Sequence, residues 1–105
     1  MNFNEYQMMS QTYAVYPKDR ALEYATLGLT SEAGEVAGKV KKYIRGDVNV
    51  LLPTDVALEL GDVLWYCAAV ADAIGYDLAT VADLNINKLR SRKVNGTIKG
   101  DGDVR

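Results

Sequence analysis

Two pairs of acidic residues give this sequence its clearest chemical signal. Glu32 and Glu35 lie three residues apart, and Glu59 and Asp62 repeat that spacing further along the chain. Residues at i and i+3 share one face of a helix, so each pair would present two carboxylates about 5–6 Å apart at their Cβ atoms. A single pair of this kind is typical of a solvated helix face, so its meaning depends on where the helix places it.

The position of each pair around its helix favours a common site. At about 100° per residue, with each apolar stripe centred at zero, the first pair lies at roughly −80° and −140° and the second at roughly −60° and −120°. Both pairs therefore flank their stripe on the same hand. The short connection between the two segments favours antiparallel neighbours. A two-fold rotation relates such neighbours and preserves hand, so we expect all four carboxylates to line one trough.

Four converging carboxylates raise one another's pKa unless a cation lies between them. The chain contains no histidine, which excludes catalysis by a histidine base and zinc sites of the Cys/His kind. Oxygen ligands alone select a hard ion, Mg²⁺ or Mn²⁺, and carboxylate-bound magnesium keeps coordination positions for phosphate oxygens. The sequence therefore predicts metal-dependent phosphate chemistry.

Basic residues supply candidate phosphate contacts. Four of them cluster near the end of the last apolar segment: Lys88, Arg90, Arg92 and Lys93. Arginine can grip a phosphate as a bidentate fork and lysine as a point charge. The alternative is that these cations are simply favourable at a helix C-terminus. Lys39 and Lys42 follow the first acidic pair, and they either contact phosphate or lie on a solvated helix face.

Aromatic residues and glycines each leave two interpretations open. Tyr66 lies one turn after the second acidic pair and could hydrogen-bond a phosphate or sugar, or simply pack. Trp65 points away from the apolar stripe of its helix, which predicts contact with a partner subunit. Gly28, Gly34 and Gly38 each cost a helix about 1 kcal/mol relative to alanine. They are either tolerated or make room for close helix packing or a ligand.

Apolar periodicity predicts four helices and no strand. The predicted ranges are 3–15, 20–44, 53–75 and 77–93, with Pro17 and Pro53 near helix starts and Asp77 as an N-cap. The tail from Asn95 to Arg105 is expected to be mobile, or ordered only by a ligand or partner. We expect residues 1–105 to form one all-α domain.

Composition limits the class of protein. The chain has 105 residues, of which 49% are apolar and 25% charged, with a formal net charge of −2. These values indicate a folded soluble domain that binds neither nucleic acid through bulk basicity nor a membrane. The single cysteine, Cys67, is expected to pack in the core in a reducing compartment. With neither a signal-peptide pattern nor an apolar run of about 18 residues, the expected location is the cytoplasm.

The motif Glu32-x-x-Glu35 followed by Glu59-x-x-Asp62 resembles that of MazG-like nucleotide pyrophosphohydrolases, in the all-α NTP pyrophosphatase superfamily. The resemblance covers about residues 20 to 93, through SEAGEVAGKVKK, ALELGDVLWYCAAVADAIG and DLATVADLNINKLRSRK. The closing NGTIKGDGDVR is also similar to tails of small members. The family implies a four-helix bundle that forms a homodimer or homotetramer, with the active site near a subunit interface.

The resemblance also implies roles for individual residues. The four acidic residues would bind Mg²⁺, for which Mn²⁺ can substitute. Asn85, Lys88 and Arg92, in Asn-x-x-Lys-Leu-x-x-Arg, would contact the triphosphate, and the last two would hold the leaving pyrophosphate. Lys39 and Tyr66 match positions that approach the substrate in some relatives.

The implied reaction converts a nucleoside triphosphate and water into the monophosphate and pyrophosphate, by attack at the α-phosphorus. Glu35 or Glu32 would orient and deprotonate the water. Nucleotide-pool house-cleaning is the expected role. Alternatives within the superfamily are a phosphoribosyl-ATP pyrophosphohydrolase and a dUTPase-like enzyme, which would share the metal trough. A non-catalytic nucleotide-sensing helical dimer is a further alternative, which the intact acidic pairs disfavour.

Overall fold

The computed structural model describes residues 1–104, and its regular structure is helical. The α-helices are α1 (Phe3–Gln11), α2 (Ala21–Arg45), α3 (Pro53–Ala73) and α4 (Leu78–Asn95), with a 3₁₀ turn at Lys18–Arg20 before α2. No strand occurs in this range, and none of its helices is long and apolar enough to cross a membrane. The prediction of an all-α chain with four helices is confirmed.

The helix ends follow local sequence signals and lie within two residues of the predicted bounds, except at the end of α1. The prediction extended this helix to Val15, whereas it ends at Gln11. The Thr12 hydroxyl donates to the Met9 carbonyl at 2.7 Å, and the next N–H groups bond three residues back, which tightens the chain into a turn. Helix α2 ends where predicted, because Gly46 adopts a left-handed φ of 90° that glycine tolerates without strain.

Helices α2 and α3 pack against each other as an antiparallel hairpin. Ala25 packs with Ala69 near one end of the pair, and Gly28 faces Tyr66 one turn further along. Later residues of α2 therefore meet earlier residues of α3, as the short connection between the helices predicts. Both alanines are fully buried, so small side chains let the two backbones approach closely.

Helices α1 and α4 pack against α3 and against each other, away from α2. In residues 1–104, no Cα atom of α2 lies within 8 Å of a Cα atom of α1 or α4. The radius of gyration is 16.6 Å, against about 13 Å for a compact domain of this length. One chain therefore does not close its four helices around a common core.

The buried apolar residues form two small clusters. Tyr16, Ala25 and Ala69 make one, and Ala68, Ala71 and Leu78 make the other. Cys67 packs against the second cluster and is half-buried, and this burial raises the pKa of its thiol. The sequence-based expectation that Cys67 packs in the core is thus confirmed.

The start of α4 is held by side chains of α1. Asp77 occupies the predicted N-cap position, but its side chain makes no capping hydrogen bond. Instead, Gln7 Oε1 accepts from the Leu78 N–H at 2.8 Å, and Gln7 Nε2 donates to the Tyr76 carbonyl at 3.0 Å. Asn4 Oδ1 accepts from the Ala79 N–H at 3.3 Å. Hydrogen bonds from α1 thus replace the expected local cap.

We expect Gln7→Ala to lower the free energy of unfolding by about 1–3 kcal/mol, because it leaves buried backbone groups without their partner. Asp77→Ala, the control at the nominal cap, should cost clearly less, because that side chain makes no such bond. Urea denaturation at one fixed protein concentration measures both. Equal losses for the two variants would contradict this account of the α1–α4 junction.

Candidate active site

The hairpin brings three carboxylates together. One oxygen from each of Glu32, Glu59 and Asp62 lies within 4.8 Å of the others. Glu32 and Glu59 are half-buried, and Asp62 is exposed. The convergence predicted from the same-hand placement of the two acidic pairs is therefore observed for three of the four residues.

The electrostatics of this group favour a bound cation. Burial raises the pKa of Glu32, and the negative charges of Asp62, Glu59 and Glu35 raise it further. Among the ion pairs of residues 1–104, one brings a cation to this group: the Lys39 Nζ lies 3.8 Å from Glu59 Oε1. Because the donors are all carboxylate oxygens, they fit a hard divalent ion such as Mg²⁺ or Mn²⁺.

Glu35 lies outside this three-carboxylate cluster. Its side chain is exposed and lines a neighbouring cavity of about 310 Å³, between the end of α2, the connection and the start of α3. Lys39 and Lys42 line the same cavity. Around α2, Glu35 lies about 60° farther from the apolar stripe than Glu32 does, at roughly −140° against −80°. The structure therefore separates it from the other predicted metal ligands while leaving it one turn from Glu32.

Tyr66 lies beside the cluster, with its ring against α2. A Cβ atom at Gly28 would lie only 2.1 Å from the ring, whereas one at Gly34 would meet nothing within 4 Å. Close helix packing therefore explains the glycine at position 28 but not the glycine at position 34. Burial raises the pKa of the Tyr66 phenol most, the neighbouring Tyr24 raises it further, and the charges of Glu32 and Asp62 add to this.

The sequence-based interpretation of Trp65 is wrong. Its indole Nε1 donates to the Ser10 carbonyl at 3.1 Å, and its ring packs edge-on against Tyr16 and Tyr66. It thus joins α3 to the end of α1 within one chain and does not point to a partner subunit. Trp65 lies on a side of α3 that the apolar stripe does not mark, and that side packs within the chain.

Two tyrosines near the site were missed by sequence reasoning. Tyr6 of α1 packs against the second buried cluster, and its pKa is raised first by burial and then by the charge of Asp62. Tyr24 lies one turn before Gly28, and it raises the pKa of Tyr66. Its spacing from Gly28 was the available signal, since residues at i and i+4 share a helix face.

The predicted triphosphate contacts on α4 meet the tail of the same chain. Lys88 Nζ lies 3.2 Å from Asp103 Oδ1, and Arg92 donates to the carbonyls of Gly102 and Asp103. Asn85 is exposed one turn before Lys88. Lys88 and Arg92 are brought together, but α4 does not approach α2 within residues 1–104. Their contact with phosphate stays a prediction, as does that of Asn85.

The tail itself differs from expectation. It was predicted to be mobile or ordered only by a ligand or partner, yet Lys88 and Arg92 hold it through the contacts just described. Helix α4 also runs two residues beyond the predicted Lys93 and ends at Asn95, where Gly96 caps it with a left-handed φ of 69°. Arg105, the last residue of the predicted tail, lies outside the described residues.

Comparison with known proteins agrees with this geometry. Residues 20–97 match the model of the MazG nucleotide pyrophosphohydrolase domain, and the chain belongs to that family. It is also 42% identical over 114 aligned residues to the Gene 37 protein of Mycobacterium phage L5, with full coverage of both chains. No solved structure matches it significantly. The family resemblance inferred from the paired acidic motif is confirmed.

We expect Gly28→Ala to lower the free energy of unfolding by about 1–3 kcal/mol, because the added methyl group must displace the Tyr66 ring. Gly34→Ala is the matched control on the same helix. It should be neutral or stabilising by up to about 1 kcal/mol, since alanine favours a helix and the site is open. Urea denaturation compares the two, and equal stability would exclude the close contact.

Proposed function

We propose that this chain is a magnesium-dependent nucleoside triphosphate pyrophosphohydrolase that converts (d)NTP and water into (d)NMP and pyrophosphate. The observation that supports this best is the convergence of Glu32, Glu59 and Asp62, in a chain of the MazG family. Members of this family are typically metal-dependent. We assign Mg²⁺ to these three carboxylates, with Mn²⁺ as a substitute, and a house-cleaning role to the enzyme.

The three clustered carboxylates would hold the metal, and a neighbouring carboxylate would accept the proton of the attacking water. The chemistry that Mg²⁺ supplies when bound is neutralisation of charge on the phosphate oxygens. Glu35 is the better candidate for the base than Glu32, because it lies outside the cluster with its carboxylate exposed. It would orient water for in-line attack on the α-phosphorus and take the proton as the new P–O bond forms.

The leaving group departs on the opposite side of the α-phosphorus. The bond to the oxygen bridging the α- and β-phosphates breaks, and the electron pair goes to pyrophosphate. Lys88 and Arg92 are assigned to hold its charge, with Asn85 beside them. Lys39, already next to Glu59, and Tyr66 are assigned to the substrate near the metal. No covalent intermediate is required.

We further propose that the chain works as a homodimer or homotetramer with the site near a subunit interface. Large apolar side chains are mostly exposed in the single chain; examples on α2, α3 and α4 are Leu27, Ile44, Leu58, Leu60 and Leu84. The accessible surface is 7737 Å², against about 5,800 Å² for a compact monomer of this mass. Burial of the excess against other copies would supply the core that one chain lacks.

The decisive measurement is the first product released from a panel of nucleotides with Mg²⁺. We expect pyrophosphate, and we expect Glu35→Gln to lower kcat by about 10²–10⁴-fold, as for loss of a general base. Asp62→Asn should lose activity as well. Glu23→Gln, on the exposed start of α2, is the matched charge control and should leave the rate unchanged. Orthophosphate as first product, or an unaffected Glu35→Gln, would contradict the mechanism.

A thermal unfolding assay distinguishes loss of metal from loss of the base. Mg²⁺ should raise the Tm of the wild type and of Glu35→Gln, because a ligand that binds only the folded state stabilises it. It should not raise the Tm of Asp62→Asn. A Mg²⁺-dependent Tm without turnover of any nucleotide would favour the non-catalytic sensing dimer.

The substrate panel also separates the alternatives within the superfamily. Phosphoribosyl-ATP and dUTP belong in it, because an enzyme for either would use the same carboxylate cluster. Preferential turnover of one of them would replace the broad house-cleaning role. The cytoplasmic location, the absence of nucleic-acid and membrane partners, and the single domain over residues 1–105 stay predictions.

A further inference from the structure

The C-terminal segment folds back onto the two cations of α4 that the proposed function assigns to pyrophosphate. Asp103 Oδ1 lies 3.2 Å from Lys88 Nζ and 3.7 Å from Arg92 Nη2. The same Arg92 nitrogen donates to the Gly102 carbonyl at 3.0 Å and to the Asp103 carbonyl at 2.9 Å. One anion and two carbonyl dipoles of the chain thus occupy these cations.

The contacts are concentrated on one buried guanidinium. Arg92 is only 8% exposed, although arginine is rarely buried without a partner. Gly102 has a φ of 83°, which lets the backbone turn its carbonyl toward this group. Within residues 1–104, however, Arg92 Nε has no hydrogen-bond partner. The tail therefore satisfies the guanidinium only in part.

We propose that residues 96–103 form an internal anionic strap, whose Asp103 carboxylate competes with the phosphates of the nucleotide for Lys88 and Arg92. This inference rests on the proposed function only in assigning those two cations to pyrophosphate. The strap covers the cations in the free protein. A phosphate group must displace it before they can hold the leaving group.

The chemistry of the two anions favours displacement by phosphate. Pyrophosphate carries more charge than one carboxylate and offers several oxygens, which suits the bidentate fork of arginine and can satisfy its remaining donor. The Asp103 side chain is 87% exposed, and exposed ion pairs contribute little free energy. The strap therefore covers Lys88 and Arg92 in the free protein, but its contacts are weak enough for phosphate to displace it.

The same contacts allow an opposite role, in which the tail positions Arg92 for the substrate. The two roles predict opposite signs. If the tail competes with phosphate, loss of the Asp103 charge strengthens phosphate binding. If the tail positions Arg92, the same loss weakens phosphate binding or leaves it unchanged. Asp103→Asn removes the charge and keeps both backbone carbonyls, so it separates the two roles without deleting the tail.

The test is calorimetric titration of the full-length protein with inorganic pyrophosphate, without metal. We expect Asp103→Asn to lower the Kd about two- to fivefold, the range that an exposed ion pair allows, and raised salt should shrink the difference. Asp101→Asn is the matched control. Its Oδ1 accepts from the Gly102 N–H, which asparagine can also do, so its Kd should equal that of the wild type.

Two further measurements locate the binding and the motion. Lys88→Met should weaken pyrophosphate binding, and an unchanged Kd would show that pyrophosphate binds elsewhere and overturn the proposal. Trypsin cleavage after the exposed Lys99 reports on the strap itself. Pyrophosphate should accelerate release of the peptide 100–105 from the wild type if it displaces the strap. Slower release, or an unchanged or higher Kd for Asp103→Asn, would also overturn the proposal.

Failure of the strap and failure of the proposed function give different results. If nucleotides yield pyrophosphate but Asp103→Asn binds it no better than the wild type, the strap is wrong and the enzyme assignment stands. If the Kd values and trypsin rates follow the strap while no nucleotide is hydrolysed, the strap stands and the enzyme assignment fails. Absence of pyrophosphate binding in every variant overturns the strap.

Discussion

Close packing of α2 on α3 is the constraint on which the candidate site depends. Fully buried alanines at Ala25 and Ala69 and the bare backbone of Gly28 under the Tyr66 ring let the two helices approach. Because the helices are antiparallel, the packing that starts at these small residues brings Glu32 opposite Asp62 one turn later. A wider spacing would leave the carboxylates as separate exposed groups, with no cause for the raised pKa of Glu32.

The carboxylate cluster is a source of electrostatic repulsion in the folded chain. Its like charges, two of them half-buried, repel one another, and one lysine beside Glu59 offsets only part of that repulsion. A divalent cation would relieve the rest. The single chain has a second deficit, since it buries few large side chains and leaves apolar faces on α2, α3 and α4 exposed. The proposed remedy for both deficits is binding, with a metal ion at the cluster and further copies of the chain on the apolar faces.

The C-terminal tail forms ion pairs with the cations of α4. Helix α4 ends in cations, and the chain returns its own carboxylate to them after a left-handed turn at Gly96. Positive charge that would otherwise face solvent near a helix C-terminus is thereby neutralised within the chain. The acidic cluster thus lies on α2 and α3, whereas the cations lie on α4, where a carboxylate of the same chain covers them.

The sequence by itself determined the four helices, the antiparallel hairpin and the shared trough, because periodicity and spacing fix which residues lie on one helix face. It could not decide contacts that join distant segments. The exclusion of Glu35 from the cluster, the intramolecular packing of Trp65, and the capping of α4 by Gln7 all depend on how α1 and α2 lie against α3. The hold of Arg92 on the tail is likewise tertiary. Residue spacing records a direction around one helix, whereas these contacts depend on distances between elements, which only the folded chain sets.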